Sequence, residues 1–433
     1  MKGWLKTTLG NHVDIITGYP FKSELYTEAE KSIRLLRGDN IIPGSTRWDG
    51  VKYWSLDKVE GLNKYYLNPQ DLIIAMDRVL VSNGLKITII QDEDVPALLV
   101  QRVARLRASK GLDQNFLPYL VMSHRFEQYV KSVQTETAIP HISTQQISDF
   151  PIVLPPLLEQ CRIAEILGAW DESIDLLERL IGKTRSRKQG LMQQLLTGKK
   201  RFKEFNVNSS FSTRSDFFES KLGELPDDWK IFNLPDVLYF QEGPGVQNYQ
   251  FTQSGVKLLN GSNIQKAELI LDNTSRYIDE DEAYGKYKHF LVDAGDLVIA
   301  SSGISVDKFE NKIAFVTEKD LPLCMNTSTI RFKVINKEEV NLTYFKYFMM
   351  TSLFKDQIRR QITGSAQLNF GPTHLNLTLL VLPPILEQEK IAAVLSAADE
   401  EISMLEKQLA AYKQQKLGLM QQLLTGKIRV GMI

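Results

Sequence analysis

Val153–Lys199, VLPPLLEQCRIAEILGAWDESIDLLERLIGKTRSRKQGLMQQLLTGK, is met again at Val381–Lys427 as VLPPILEQEKIAAVLSAADEEISMLEKQLAAYKQQKLGLMQQLLTGK. The two align without a gap at a shift of 228 residues, with 27 of 47 positions identical and ten in a row from Gly190/Gly418 to Lys199/Lys427. An ungapped match of that length marks an internal duplication, and a repeat of this kind governs every other statement about fold.

Each copy reads as one long helix. Ile163, Leu167, Trp170, Ile174, Leu177, Ile181, Thr184, Lys188, Leu191 and Leu195 follow each other in alternating steps of four and three. Ile391, Leu395, Ala398, Ile402, Leu405, Leu409, Tyr412, Lys416, Leu419 and Leu423 do the same. A stripe that repeats every 3.5 residues is the seam of a coiled coil. Pro155-Pro156 and Pro383-Pro384 stand just before each helix, where a missing N–H costs little, and Gly198 and Gly426 follow the last apolar residue as C-terminal stops. A helix of this length, roughly 60 Å, must bury its stripe on something, and the obvious partner is the other copy. Two unrelated surface helices are the alternative. The seam turns polar at Thr184/Tyr412 and Lys188/Lys416, which predicts a packed half at Ile163–Ile181 and a looser half near Gly190 and Gly418. Those glycines permit a close helix approach, a partner or a kink.

The chain is long enough, at 433 residues, for two or three domains. Its formal net charge is zero, so any basic surface for a polyanion is local. Cys161 and Cys324 form neither a metal-ligand cluster nor a disulfide framework and read as free thiols in a reducing cytosol. MKGWLKTTLG lacks a signal-peptide core, and no apolar run reaches membrane-spanning length, so a cytoplasmic protein is expected.

In order, the chain reads as a mixed segment (1–150), a helix (151–199), a polar linker partly tied down by its phenylalanines (200–222), a second mixed segment (223–380) and a second helical region (381–433). The mixed segments are divergent copies of one α+β domain. IRLLRGDNI at Ile33–Ile41 answers VKLLNGSNI at Val256–Ile264, and DLIIA at Asp71–Ala75 answers DLVIA at Asp296–Ala300. RLR at Arg105–Arg107 answers RFK at Arg331–Lys333. The short apolar runs read as strands, and Phe116–Val133 and Tyr344–Ile362 as one amphipathic helix each. The copies differ between these framework pieces. Asp77-Arg78-Val79-Leu80 becomes Ser302-Gly303-Ile304-Ser305, and Arg47–Lys58 aligns with nothing. Two modules with one job and different targets have this pattern, as does neutral drift in loops.

No catalytic constellation emerges. The histidines (His12, His124, His141, His289 and His374) lie in no metal-binding spacing, and none recurs as His in the other copy. Nucleophile-elbow, P-loop and dinucleotide fingerprints are missing, as are the cofactor glycines and the [DN]PP[YFW] tetrapeptide of an adenine methyltransferase. The chain reads as a binder. One charge pattern fits a polyanion. Lys183, Arg185, Arg187, Lys188, Lys199, Lys200, Arg201 and Lys203 follow one another without an acid between Glu178 and Glu204, and Lys407, Lys413, Lys416, Lys427 and Arg429 follow Glu406 in the same way. Cations favoured at a helix C-terminus explain it equally.

LPPLLEQ at Leu154–Gln160, LPPILEQ at Leu382–Gln388, and LMQQLLTGK at Leu191–Lys199 and Leu419–Lys427 together resemble the specificity subunits of type I restriction–modification systems. The resemblance spans essentially the whole chain. One departure is TETAIPHIS at Thr135–Ser143, where the second copy has TGSAQLNFG at Thr363–Gly371, nearer the usual form. The resemblance implies two α+β target-recognition domains joined by two long repeat helices in an antiparallel coiled coil, a pseudo-twofold internal duplication. Each domain would read one half of a bipartite asymmetric site on double-stranded DNA. The helices would set the gap, on the order of one duplex turn, as dimer geometry sets half-site spacing. Two modification (methyltransferase) subunits would dock on the helices, and restriction subunits would complete the complex. S-adenosylmethionine, ATP and Mg would sit on those partners, with no catalytic residue, metal or cofactor in this chain. A fused restriction–methylation enzyme and a protein-only coiled-coil scaffold are the competing classes.

Arg and Asn in loops after strands are the best base-reading side chains. The candidates are Arg37, Arg78, Asn83, Lys86 and Arg102 in the first domain, and Asn260, Asn263, Ser302, Lys308 and Asn326 in the second. The apolar seam positions named above, from Ile163 to Leu195 and from Ile391 to Leu423, are the candidate helix-pairing and partner residues.

Overall fold

The computed structural model describes residues 3–28, 31–136, 138–206, 211–212, 225–272, 274–304, 306–361 and 369–431. The chain forms two compact units, residues 1–179 with 407–433, and residues 180–406. The division cuts through both long helices, Leu157–Leu195 and Ile385–Leu424, so each unit holds part of each helix.

In the first unit a four-stranded antiparallel sheet runs in the order Ile87–Ile89, Leu72–Ala75, Val103–Ala108, Val13–Thr17. Beside it lies a three-stranded sheet in which Ser32–Leu36 pairs in parallel with Ala97–Leu99 and antiparallel with Lys52–Ser55. Leu72–Ala75 is fully buried, and its continuous β-branched and aliphatic run fits a strand covered on both faces. Leu5–Thr8 pairs with Pro151–Leu154, which leads straight into the long helix.

The second unit repeats this topology. Leu238–Glu242, Thr329–Val334, Leu297–Ala300 and Ile313–Phe315 form the four-stranded sheet, and Tyr277–Ile278, Val256–Leu259 and Leu323–Met325 the three-stranded one. Tyr277–Ile278 takes the place of Lys52–Ser55. The stretch that aligned with nothing therefore has a structural counterpart whose sequence has diverged.

The two amphipathic helices predicted as single are each broken. Leu117–Val121 is followed by His124–Val133, and Leu342–Met349 by Ser352–Gln361. The cause is a hydroxyl at the equivalent position. Ser123 accepts from the Phe126 N–H and donates to the Leu120 carbonyl, and Thr351 accepts from Phe354 and donates to Phe348. Each hydroxyl caps a new N-terminus and offers the backbone an alternative to the helical ladder. In the linker, Lys203–Phe205 is one helical turn and Phe211–Ser212 pairs with Leu225–Pro226. Residues 207–210 and 213–224 lie outside the described residues.

Within each unit the helix segments run antiparallel. In the first, Glu159 is held by Arg429, Asp171 by Lys416 and Glu178 by Lys413, while Trp170 and Tyr412 meet edge to face at 5.3 Å. In the second, Arg201 holds Glu387, Lys188 holds Asp399 and Arg185 holds Glu406. These are the same pairs shifted by 228 residues. The acid-free stretches that fitted a polyanion are thus occupied in large part within the chain. Arg185, Arg187, Lys188, Arg201, Lys413, Lys416 and Arg429 all pair with acids of the opposite helix. Each helix is acidic in its first half and basic in its second, and only an antiparallel partner matches that order.

The seam is not divided into a dry half and a loose half. Ile163, Leu167, Ile181, Leu195, Ile391, Leu395, Ala398 and Leu423 are buried, and Thr184 is 3 % exposed. Trp170, Ile174, Leu177, Leu191, Ile402, Leu405, Leu409 and Leu419 are half-buried. The buried positions nearest the helix ends join the domain cores. Ile163, Leu167, Met420 and Leu423 belong to the core of the first unit, and Leu195, Leu196, Ile391 and Leu395 to that of the second. Among the described residues a Cβ on Gly190 or Gly418 would meet nothing within 4 Å, and both helices run through without a break. No close approach therefore explains these glycines.

Lys346 gives a pH-dependent reading of this packing. Its ammonium lies 4.0 Å from Asp399, which Lys188 also contacts at 2.5 Å. Burial lowers the pKa of Lys346 below 10.5, Asp399 opposes the shift and Lys188 adds to it. A lysine with a depressed folded pKa binds fewer protons in the native state, so its contribution to stability improves as pH rises through that value towards 10.5. The Lys346→Met variant should be more stable than wild type in urea titrations at neutral pH, with the gain shrinking as pH approaches 10.5. A gain independent of pH would refute this account.

Candidate nucleic-acid interface

The loops that leave the buried strands Leu72–Ala75 and Leu297–Ala300 occupy the same frame in both units. Met76 donates its N–H to the Arg102 carbonyl at 2.9 Å and accepts from Ile142, and Ser301 donates to Ser328 at 2.8 Å and accepts from Phe370. Gly18 donates to Val103 and Gly243 to Thr329, each at 3.0 Å. Arg102 and Ser328 are both left-handed, at φ 65° and 70°. These bonds make Asp77 equivalent to Ser302, Arg78 to Gly303, Arg102 to Ser328, His141 to Asn369 and Thr17 to Glu242.

On this common frame the side chains differ. In the first unit Asp77 accepts from Arg102 at 3.0 Å and sits 2.7 Å from Nδ1 of His141. Arg78 is exposed beside it and makes no ion pair among the described residues. Arg37 pairs with Asp39 at 3.3 Å, and Arg47, exposed, donates to the Asp39 carbonyl. Asn83 is exposed in the tight turn between Leu80–Val81 and Gly84–Leu85. Lys86 turns inward instead and donates to the Gly38 carbonyl. Burial lowers its pKa, against the pull of Asp39 and with the help of Arg47 and Arg78. Arg37, Arg47, Arg78 and Arg102 thus form a guanidinium-rich surface with Asp39 and Asp77 between them.

In the second unit the equivalent place is an open cleft of about 510 Å³, lined among others by Glu242, Ser302, Ser328, Asn369, Phe370 and His374. Ser302 is exposed, and the Gly303 N–H donates to Oδ1 of Asn369 at 2.7 Å. Ser301 donates to Glu242 at 3.4 Å. Three candidates, Asn260, Asn263 and Asn326, are part of the framework. Asn263, 8 % exposed, holds a turn by accepting from the Asn260 N–H and donating to the Ile270 carbonyl, as Asn40 does in the first unit. Asn326, 3 % exposed, accepts from Val246 and Thr327 and donates to Oδ1 of Asn260. Lys312 matches Lys86, donating to Gly261 and Ile264. Lys308 lies in the 3-10 helix Val306–Lys312, its side chain outside the described residues. The TGSAQL portion of the second-copy loop also lies outside them.

Asp77, His141, Arg47, Glu242, Asn369 and His374 were missed as site residues. The signal was the substitution of Asp77-Arg78 by Ser302-Gly303, joined to that of His141 by Asn369. Neither pair has meaning until the backbone bonds show that both fall at one spot.

Among the described residues no group of three or more His, Cys, Asp or Glu could hold a metal, and no helix is long and apolar enough to cross a membrane. The family described as type I restriction modification DNA specificity domain matches residues 1–183 and 226–412. The MjaVIII type I restriction enzyme specificity subunit of Methanocaldococcus jannaschii is 29 % identical over 305 residues, 70 % of this chain and 68 % of that one. The EcoAI specificity subunit of Escherichia coli is 34 % identical over 180 residues, 41 % of this chain and 30 % of its own length. The fold is similar to the crystal structure of a type I restriction–modification S subunit from M. genitalium, at a TM-score of 0.59, 15 % identity and coverage of 100 % of this chain and 97 % of that one. With the match spanning both units, the chain belongs to the type I restriction–modification DNA specificity family and carries two of its DNA-specificity domains.

Proposed function

We propose that this chain is the non-catalytic recognition subunit of a type I restriction–modification complex, and that each domain reads one half of a bipartite asymmetric site. The observation that carries this reading is the repeated loop frame, on which Asp77, Arg102 and His141 are replaced by Ser302, Ser328 and Asn369. One backbone presenting two chemistries is what two different half-sites require, because groove edges are told apart by their donors and acceptors.

The helices set the gap between the half-sites and dock two modification subunits, to which restriction subunits add. S-adenosylmethionine, ATP and Mg belong to those partners, which flip the target adenine and act on it in the cytoplasm. The exposed guanidinium groups supply phosphate neutralisation as well as base contacts.

The test is a map of N6-methyladenine in cells expressing the chain with its cognate modification subunit, and again with the chain omitted. One two-part motif with a fixed gap, lost on omission, is expected. Exchanging residues 223–380 for those of another family member should change one half of the motif and leave the other. Methylation that persists without the chain would overturn the reading and favour a protein-only scaffold.

A further inference from the structure

We propose that the first domain reads guanine through Arg78 and Arg102, whereas the second reads a base amino group, on adenine or cytosine, through Glu242. This deepens the functional reading above and rests on it.

The argument begins with hydrogen-bonding capacity. A guanidinium only donates and an ionised carboxylate only accepts. Among base edges in the major groove, guanine alone offers two neighbouring acceptors, N7 and O6, which match the arginine fork. The donors there are the amino groups of adenine and cytosine. A carboxylate brought against DNA is repelled by phosphate, so such an amino group is the partner that satisfies it. The two domains put opposite characters on one frame. The equivalent of exposed Thr17 is Glu242, half-buried at the cleft, and the equivalents of Arg78 and Arg102 are Gly303 and Ser328.

Backbone conformation adds to the case for Arg78. The frame is left-handed at this place, φ 68° at Gly303 and 46° at Arg78. Glycine meets that requirement without strain, while arginine does not, and strained non-glycine residues cluster at functional sites. Arg102, also left-handed, is oriented by Asp77, which accepts from its Nη1 at 3.0 and 3.3 Å. His141 steadies the same carboxylate. Among the described residues that arrangement leaves the rest of the fork free and fixes its direction, as a base contact needs and a phosphate contact does not. In the second unit the corresponding small residues leave the cleft open, so a base edge can approach Glu242.

The experiment uses the chain reconstituted with its cognate modification subunit and reads the methylation motif. Arg78→Ala or Arg102→Ala should let more than one base pair stand at a guanine position, only in the half that survives exchange of residues 223–380. Glu242→Gln should do so at an adenine or cytosine position of the other half, and the wild-type motif tells which base it is. If a variant loses methylation altogether, binding by the wild-type complex decides. A duplex with 7-deazaguanine in the first half, lacking the N7 acceptor, should bind roughly tenfold more weakly than the natural one. A first half made only of A·T pairs, equal binding of the two duplexes, or variants with an unchanged motif would overturn the proposal while the two-part motif stands. Methylation indifferent to the chain would instead remove the functional reading beneath it.

Discussion

Replacing Arg201 with alanine should destabilise the second unit by about 3–5 kcal/mol, the range for removing one partner of a buried ion pair. The Arg201 side chain is 2 % exposed and that of Glu387 1 %. Its guanidinium donates to Glu387 at 2.9 and 2.6 Å and to Asp228 at 2.8 and 2.7 Å. Once it is gone, the Trp229 Nε1–H at 3.3 Å is a poor substitute for a full positive charge. The first unit supplies its own control. Glu159 is as buried, at 4 %, but Arg429 is 44 % exposed. Water can enter where that side chain stood, so Arg429→Ala should cost distinctly less. Hydrogen exchange resolved by unit, together with urea titration, measures both, and equal losses would contradict the account.

Phe354→Ala should cost a comparable 3–5 kcal/mol through the cavity it leaves. Phe354 is fully buried, with ring centroids 6.1 Å from Phe309 and 6.3 Å from Phe345 and Phe348. Phe309 in turn lies 6.3 Å from Phe370, a wall of the cleft. Loss of the ring therefore reaches the loops of the candidate site without removing any hydrogen-bonding group. Methylation should fall at elevated temperature while the motif is unchanged. A motif altered by this substitution would mean that packing, rather than donors and acceptors, selects the bases.

The helices were legible in the sequence because a 3.5-residue stripe is local and appears twice. The strands were legible where they are continuous apolar runs, as at Leu72–Ala75 and Leu297–Ala300. Ser123 and Thr351 were not read as breaks, since a hydroxyl within an amphipathic pattern is ordinarily a polar-face residue. The basic helix ends were read for their charge alone. Their acids lie more than 180 residues away, as in Arg201 with Glu387, and no local pattern links them. Shorter but still non-local separations hid the candidate site. Asp77 meets His141 across 64 residues and Gly303 meets Asn369 across 66. Asn263 and Asn326 looked like readers because side-chain type is visible in a sequence and burial is not.

The order of charges along the repeat bears on inheritance. Each repeat carries its acids first and its bases second: Glu159, Asp171 and Glu178 before Arg185, Lys188 and Arg201, and Glu387, Asp399 and Glu406 before Lys413, Lys416 and Arg429. A genetic crossover between the two copies of this repeat, at any point along it, yields a hybrid helix that still runs from acid to base. Its complement on the other helix is met whichever copy supplied each half. Recombination between copies of this repeat is therefore mechanically silent, because each acid still meets a base of the opposite helix wherever the joint falls.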